Sequence, residues 1–187
     1  MPVNKTNCII VEAHLLTSKH LNRDVKVDCY LPADIRDFSF LSLLLINDGQ
    51  DLRTMHFEDI LDDLCNNNAI KPLFCVGIHC SADRKNEYGT AGILDYKGRG
   101  AKAGLYSRFV FEELLPFLRK HYHVTAFKDK SFAGFSLGGL SALDIVWNNA
   151  EEFSMAAVFS GSMWWRDKDQ DDEDFDEESK YKPTSIN

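Results

Sequence analysis

The chain predicts an α/β domain, a mostly parallel sheet with helices on both faces and an antiparallel hairpin at its N-terminal end. Three observations carry this. Two strand-like segments come first, the second with the strict alternation of a sheet whose two faces differ. After them, short apolar runs alternate with helix-period segments, as in a parallel sheet covered on both sides. The last but one of these runs then enters a helix through Gly134-Phe135-Ser136-Leu137-Gly138, a G-x-S-x-G turn set between strand and helix.

Taken in order, Cys8 to Leu16 alternates loosely. Asp24 to Leu31 places Val25, Val27, Cys29 and Leu31 on one face and Lys26, Asp28 and Tyr30 on the other. Pro32 ends that strand. Phe38 to Asn47 is nearly continuous apolar sequence, a strand buried on both faces that stops at the turn Asp48-Gly49-Gln50-Asp51. Arg53 to Asn67 carries Phe57, Ile60, Leu61 and Leu64 at helical spacing, and Pro72 to His79 is a second buried strand. Cys80 to Gly104 is irregular but rich in aromatics and charges, so an ordered, functional loop is expected, with Arg84 paired to Glu87. Ala101 to Tyr122 reads as a long helix that Pro116 should bend or break. The strand before Ser136, the helix Gly138 to Asn149 and a strand from Met155 to Ser160 complete the series. Ligands of such sheets bind at the carboxyl ends of the strands, where Asp48–Asp51, His79, Ser136 and Ser160–Trp165 would all lie.

The 187 residues, 44% hydrophobic and 27% charged, suit one soluble domain with a proper core. The apolar run Leu41 to Ile46 is too short to span a bilayer, and the N-terminus has no signal pattern. Five cysteines without framework spacing imply buried thiols in a reducing compartment, so a cytoplasmic location is expected. Neither a metal site nor an organic cofactor is expected, because no Cys or His pair has ligand spacing. Of the net charge of −8, Arg166 to Lys182 contributes −5 through nine acids and four bases. The expected organisation is therefore a domain over residues 1–165 and an acidic, disordered tail over 166–187. No basic stripe points to nucleic acid.

In the G-x-S-x-G turn, Ser136 sits where strand and helix nearly touch. That strains its backbone and lifts its hydroxyl to a helix N-terminus, where unpaired N–H groups can hold an oxyanion. Together, five segments give a resemblance. Leu-Leu-Ile-Asn-Asp-Gly-Gln-Asp, Asp83-Arg84…Glu87-Tyr88, Glu113-Leu114-Leu115-Pro116, Gly134-Phe135-Ser136-Leu137-Gly138-Gly139 and Phe159-Ser160-Gly161-Ser162 stand in an order similar to that of the α/β-hydrolases of the putative-esterase family. That group includes enterochelin esterases, S-formylglutathione hydrolase-like enzymes and the antigen 85 mycolyltransferases. The likeness covers Cys8 to Arg166. It implies an α/β-hydrolase-type sheet, a serine nucleophile at Ser136, and an oxyanion hole from the backbone N–H groups of Gln50 and Leu137. It also implies a small-molecule ester as substrate, hydrolysed or passed as an acyl group to an acceptor. His79, Trp164 and Trp165 are candidates for the substrate pocket by their positions.

One departure from the family pattern is plain. The triad order is serine, acid, histidine, yet no histidine follows Ser136; the six stand at 14, 20, 56, 79, 121 and 123. His121 and His123 fall at a helix end and suit the helix dipole. Without a base the serine is a poor nucleophile, and an oxyanion hole with binding alone gives about 10³-fold over water. Weak or no activity is expected of this chain. Three readings stay open: a C-terminally incomplete hydrolase, a histidine from a second chain, or a non-catalytic binding protein. A sheet lacking its last strands would expose an edge and self-associate.

Overall fold

The computed structural model describes residues 7–35, 37–38, 41–173 and 175. Six strands form one sheet: β1 (Ile9–Ser18), β2 (Arg23–Pro32), β3 (Ser42–Asn47), β4 (Leu73–Ile78), β5 (Lys130–Phe135) and β6 (Met155–Phe159), ordered β1-β2-β4-β3-β5-β6. The β1/β2 hairpin is antiparallel and joins β4 antiparallel; β4, β3, β5 and β6 run parallel. This is the mixed, mostly parallel sheet expected, with its hairpin at one end.

Residue alternation decides what each face buries. Val25, Val27, Cys29 and Leu31 of β2 join Leu43, Leu45, Phe74, Val76, Ile78 and Phe132 in the larger core, as the sequence pattern requires. That face is covered by α5 (Leu137–Asn148) and by a long helix built of α3 (Ala103–Arg108), a wide turn (Phe109–Leu114) and α4 (Leu115–His121). Tyr30, Ile46, Cys75 and Ala133 point to the other face, where Leu61 of α1 (Phe57–Asn66) completes a smaller core.

Pro116 neither breaks the long helix nor ends it. It falls in the first turn of α4, straight after one turn of π-helix. Proline lacks the N–H that would bond four residues back and its ring crowds that carbonyl. The π turn widens the helix just where that bond is missing, so the helix continues.

The stretch from 80 to 104 is ordered. It holds a short helix α2 (Arg84–Glu87), and Tyr88, Thr90 and Asp95 within it are buried. Trp165 is fully buried against it, with its indole N–H donating to the Ile93 carbonyl at 2.9 Å. Beyond Trp165 the chain stays attached: the Tyr96 N–H donates to the Arg166 carbonyl at 2.9 Å, and the Arg166 guanidinium lies over Tyr96 and Phe175. The rest of the expected tail, 174 and 176–187, lies outside the described residues. Among the described residues no helix is long and apolar enough to cross a membrane.

All five cysteines are free thiols. Burial pushes Cys29 and Cys75 each up to about 12, so neither forms the nucleophilic thiolate near neutrality. Alkylation of the native chain at mildly alkaline pH should therefore spare both until denaturant is added. Peptide masses after a pulse of iodoacetamide check this, and modification of either in the folded chain would refute it.

Candidate active site

The carboxyl ends of β3, β5 and β6 converge on one place, and each ends in a residue whose φ is positive: Asp48 (60°), Ser136 (52°) and Ser160 (49°). Such values are uncommon outside glycine, and a strained residue costs about 1–3 kcal/mol. Three side by side at one sheet edge mark a built site rather than a chance turn.

Ser136 is held in its conformation from both sides. Its N–H donates to the Phe159 carbonyl at 2.9 Å, and its carbonyl accepts from the N–H groups of Gly139, Leu140 and Ser162 at 3.1, 3.2 and 3.1 Å. The residue is exposed, and its hydroxyl lies 3.3 Å from that of buried Ser162. The two glycines of the turn have different duties. A Cβ on Gly134 would meet the Gly138 carbonyl oxygen at 2.3 Å, so strand and helix touch through bare backbone there. A Cβ on Gly138 would instead meet the Asp48 carboxylate at 2.7 Å and the Asn47 Cβ at 3.0 Å, because the end of β3 presses on the first turn of α5.

That second contact is tied by hydrogen bonds. The Asn47 amide donates to the Gly138 carbonyl at 2.7 Å, and its oxygen accepts from the Tyr106 hydroxyl at 2.5 Å. The Asp48 N–H donates to the Tyr88 hydroxyl oxygen at 3.2 Å. Burial drives both tyrosines well above the ordinary phenol range, so they stay neutral. The Asp48 carboxylate takes two bonds from the Arg84 guanidinium, at 2.6 and 2.7 Å, and Arg84 lies 5.0 Å over the Tyr88 ring.

The N–H of Leu137 opens α5 and has no partner within the helix, as the first N–H groups of any helix do. Gln50 lies in the short 3₁₀ turn Gly49–Asp51 that follows Asp48. The Gln50 side chain accepts from the Cys80 N–H at 3.1 Å, which fixes the turn against the end of β4.

Other residues singled out by sequence are placed differently from one another. His79 follows β4, and its Nε2 lies 2.7 Å from Asp28 on β2, on the side away from β5. With β3 between β4 and β5, the strands are roughly 10 Å apart. Trp164 is half-exposed under the Arg99 guanidinium at 4.9 Å, whereas Trp165 is wholly inside the fold. The expected Arg84–Glu87 pair does not form. Glu87, only 1% exposed, is clasped by Arg23 of β2 with two 2.7 Å bonds, because Asp48 has taken Arg84. Among the described residues no histidine hydrogen-bonds Ser136.

A family model described as Putative esterase matches residues 18–185. The chain belongs to that esterase family. It is 30% identical over 161 residues to the iron(III) salmochelin esterase of Escherichia coli O6:H1, covering 81% of this chain and 36% of that protein. The crystal structure of enterochelin esterase from Shigella flexneri superposes with a TM-score of 0.72 at 23% identity, over 90% of this chain and 40% of that one. The BES protein of Bacillus cereus gives 0.69 at 21% identity, over 88% and 67%. These likenesses show that the fold is that of the α/β-hydrolase-like esterases. The chain spans about 40% or less of the enterochelin and salmochelin esterases it resembles.

Within this family member, sequence reasoning quoted Asn47, Tyr88 and Ser162 in the family-like segments but gave neither them nor Tyr106 the partners the structure shows. Asn47 carried a signal, a polar residue closing an apolar strand; the tyrosines carried none, since their partners are remote in the chain. Gly134→Ala should cost at least about 1–3 kcal/mol, the ordinary penalty of forcing a group into packed space. Urea unfolding checks it, and an unchanged midpoint would mean that strand and helix can part there without loss.

Proposed function

We infer that the chain carries the nucleophile and oxyanion site of a serine carboxylic-ester hydrolase. The observation that carries this is Ser136 itself, an exposed residue on a strained turn at the start of α5. In this reading Ser136 Oγ attacks the ester carbonyl carbon and the N–H groups of Leu137 and Gln50 receive the oxyanion. The alcohol then leaves, and water releases the acid from the acyl-enzyme. No metal or organic cofactor takes part. Arg84 holds Asp48, and through it the turn that presents Gln50. Trp164 is the better placed of the two tryptophans to meet a substrate, being the exposed one.

Two of the relatives named above are esterases of enterochelin and iron(III) salmochelin, so an ester of that kind is the first substrate to offer. The proton of Ser136 needs an acceptor, and among the described residues no histidine hydrogen-bonds its hydroxyl, whose neighbour is Ser162. The chain by itself should then hold a formed elbow with weak or no turnover. Its alternative role is a non-catalytic binding protein on the same fold.

Labelling with a fluorophosphonate, read by intact mass on the chain and on Ser136→Ala, separates these readings. Labelling lost in the variant would establish Ser136 as an activated nucleophile. A folded chain that resists the probe would leave the elbow without a base and favour the binding role.

The β6 edge bears on the behaviour in solution. β6 is the last strand of the sheet among the described residues, and Met155 and Phe159 on it are 60% and 50% exposed. Phe159 stacks on Phe135 at 4.8 Å beside Ser136. We propose that this edge drives self-association. Light scattering should show species larger than one chain at micromolar concentration; a monodisperse monomer would refute the proposal.

A further inference from the structure

Far from Ser136, the fold assembles a second group of chemically active side chains. Glu12 and His14 are two apart on β1, so they share a face, and that face meets the C-terminal end of α4, where His121 is the last residue. One ligand atom from each of the three lies within 4.8 Å of the others. His14 Nε2 and Glu12 Oε2 are 3.6 Å apart, near the ~3.3 Å edge of a tetrahedron with zinc–ligand distances of about 2.0–2.1 Å.

Their surroundings hold them in place. The Tyr122 hydroxyl donates to Glu12 Oε2 at 2.8 Å and lies 2.9 Å from His14 Nε2. Phe117 stacks against His121 at 5.3 Å and meets His14 edge-on at 5.3 Å. Among the described residues no lysine or arginine pairs with Glu12, so its charge faces only an imidazole and a phenol. A helix C-terminus adds further negative potential at this point. His121 is exposed, which leaves an open side for entry and for a water ligand.

We propose that Glu12, His14 and His121 form a site for a divalent first-row transition cation of the zinc type. Two imidazoles and one carboxylate with a free fourth position are a donor set that suits such ions. Tyr122 stands behind as the hydrogen-bonding residue that orients Glu12. β1 is four strand spacings from β5, roughly 19 Å, so the ion does not reach Ser136. It would staple the edge strand β1 to the end of α4. The ligands come from residues 12, 14 and 121, and no spacing rule read along the sequence would group them.

The test is titration of the untagged chain with Zn²⁺ by calorimetry, with Co²⁺ as a spectroscopic stand-in. One equivalent should bind, with the visible absorption of four-coordinate cobalt and without a thiolate charge-transfer band. His121→Ala, a change at an exposed position whose fold circular dichroism checks, should lower affinity by more than the ~10–100-fold expected for Tyr122→Phe. Zn²⁺ should raise the melting temperature of the parent chain and leave that of His121→Ala unmoved. No saturable binding, or binding that survives in both His121→Ala and Glu12→Gln, would overturn the proposal; in the latter case the ion would sit on the cysteines.

Discussion

The bare-backbone contact between β5 and α5 is the constraint on which the rest of the site depends. With no side chain at Gly134, the Gly138 carbonyl can sit where a Cβ would be, and the chain must reverse within Ser136. A φ of 52° is the consequence. The strain, about 1–3 kcal/mol, is offset by the four backbone hydrogen bonds that Ser136 makes to β6 and its following turn and to α5. The same close approach brings α5 near enough to β3 for Asn47 to reach the Gly138 carbonyl. The turn at Ser136 and the turn that follows Asn47 are thus parts of one packed unit rather than two loops that happen to meet.

Around that unit, charge pairs with one buried partner lock the neighbouring segments. Arg84 spans from α2 to Asp48, and Arg23 spans from the hairpin to Glu87, also on α2. A four-residue helix has little stability of its own. Here both of its charged ends are gripped by partners from different parts of the sheet, which explains why the segment that follows is ordered without strands or long helices. Such pairs add little net stability when intact, but removing one partner strands a buried charge at a cost of about 3–5 kcal/mol. Their contribution is to fix one arrangement of the loop over the sheet edge.

What could be read from the sequence follows the range of the interactions involved. The strands and helices were legible because burial imposes periods of two and 3.6 on local sequence; Val25, Val27, Cys29 and Leu31 do line one face. The turn at Ser136 was legible because its glycines and its strand–helix setting are adjacent in the chain. Strand order was not readable from local pattern, since β2 pairs with β4 and β3 lies between β4 and β5. Partner choice failed for a related reason. Arg84 and Glu87 are three apart on a helix and could meet, but only tertiary packing shows that Asp48, held at positive φ, and buried Glu87 compete for guanidinium groups. Pro116 is a milder case: the rule that proline disrupts a helix is right, and a single π turn is how this helix absorbs it.

The distribution of histidines separates the fold of the site from its chemistry. His79 is engaged by Asp28, His20 by Glu112, and His14 with His121 sits at the opposite edge of the sheet. His79, His20 and His14 each have a polar partner, and His121 packs against the His14, Phe117 and Tyr122 rings. The elbow is nevertheless fully formed, because everything that shapes it comes from β3, β5, α5 and the end of β6. The shape of the turn at Ser136 and the placement of the histidines are therefore independent in this chain. Strain at Ser136 is stabilised by packing that would persist whether or not a proton acceptor stands opposite, so the same architecture can serve either an ester-cleaving site or a binding site.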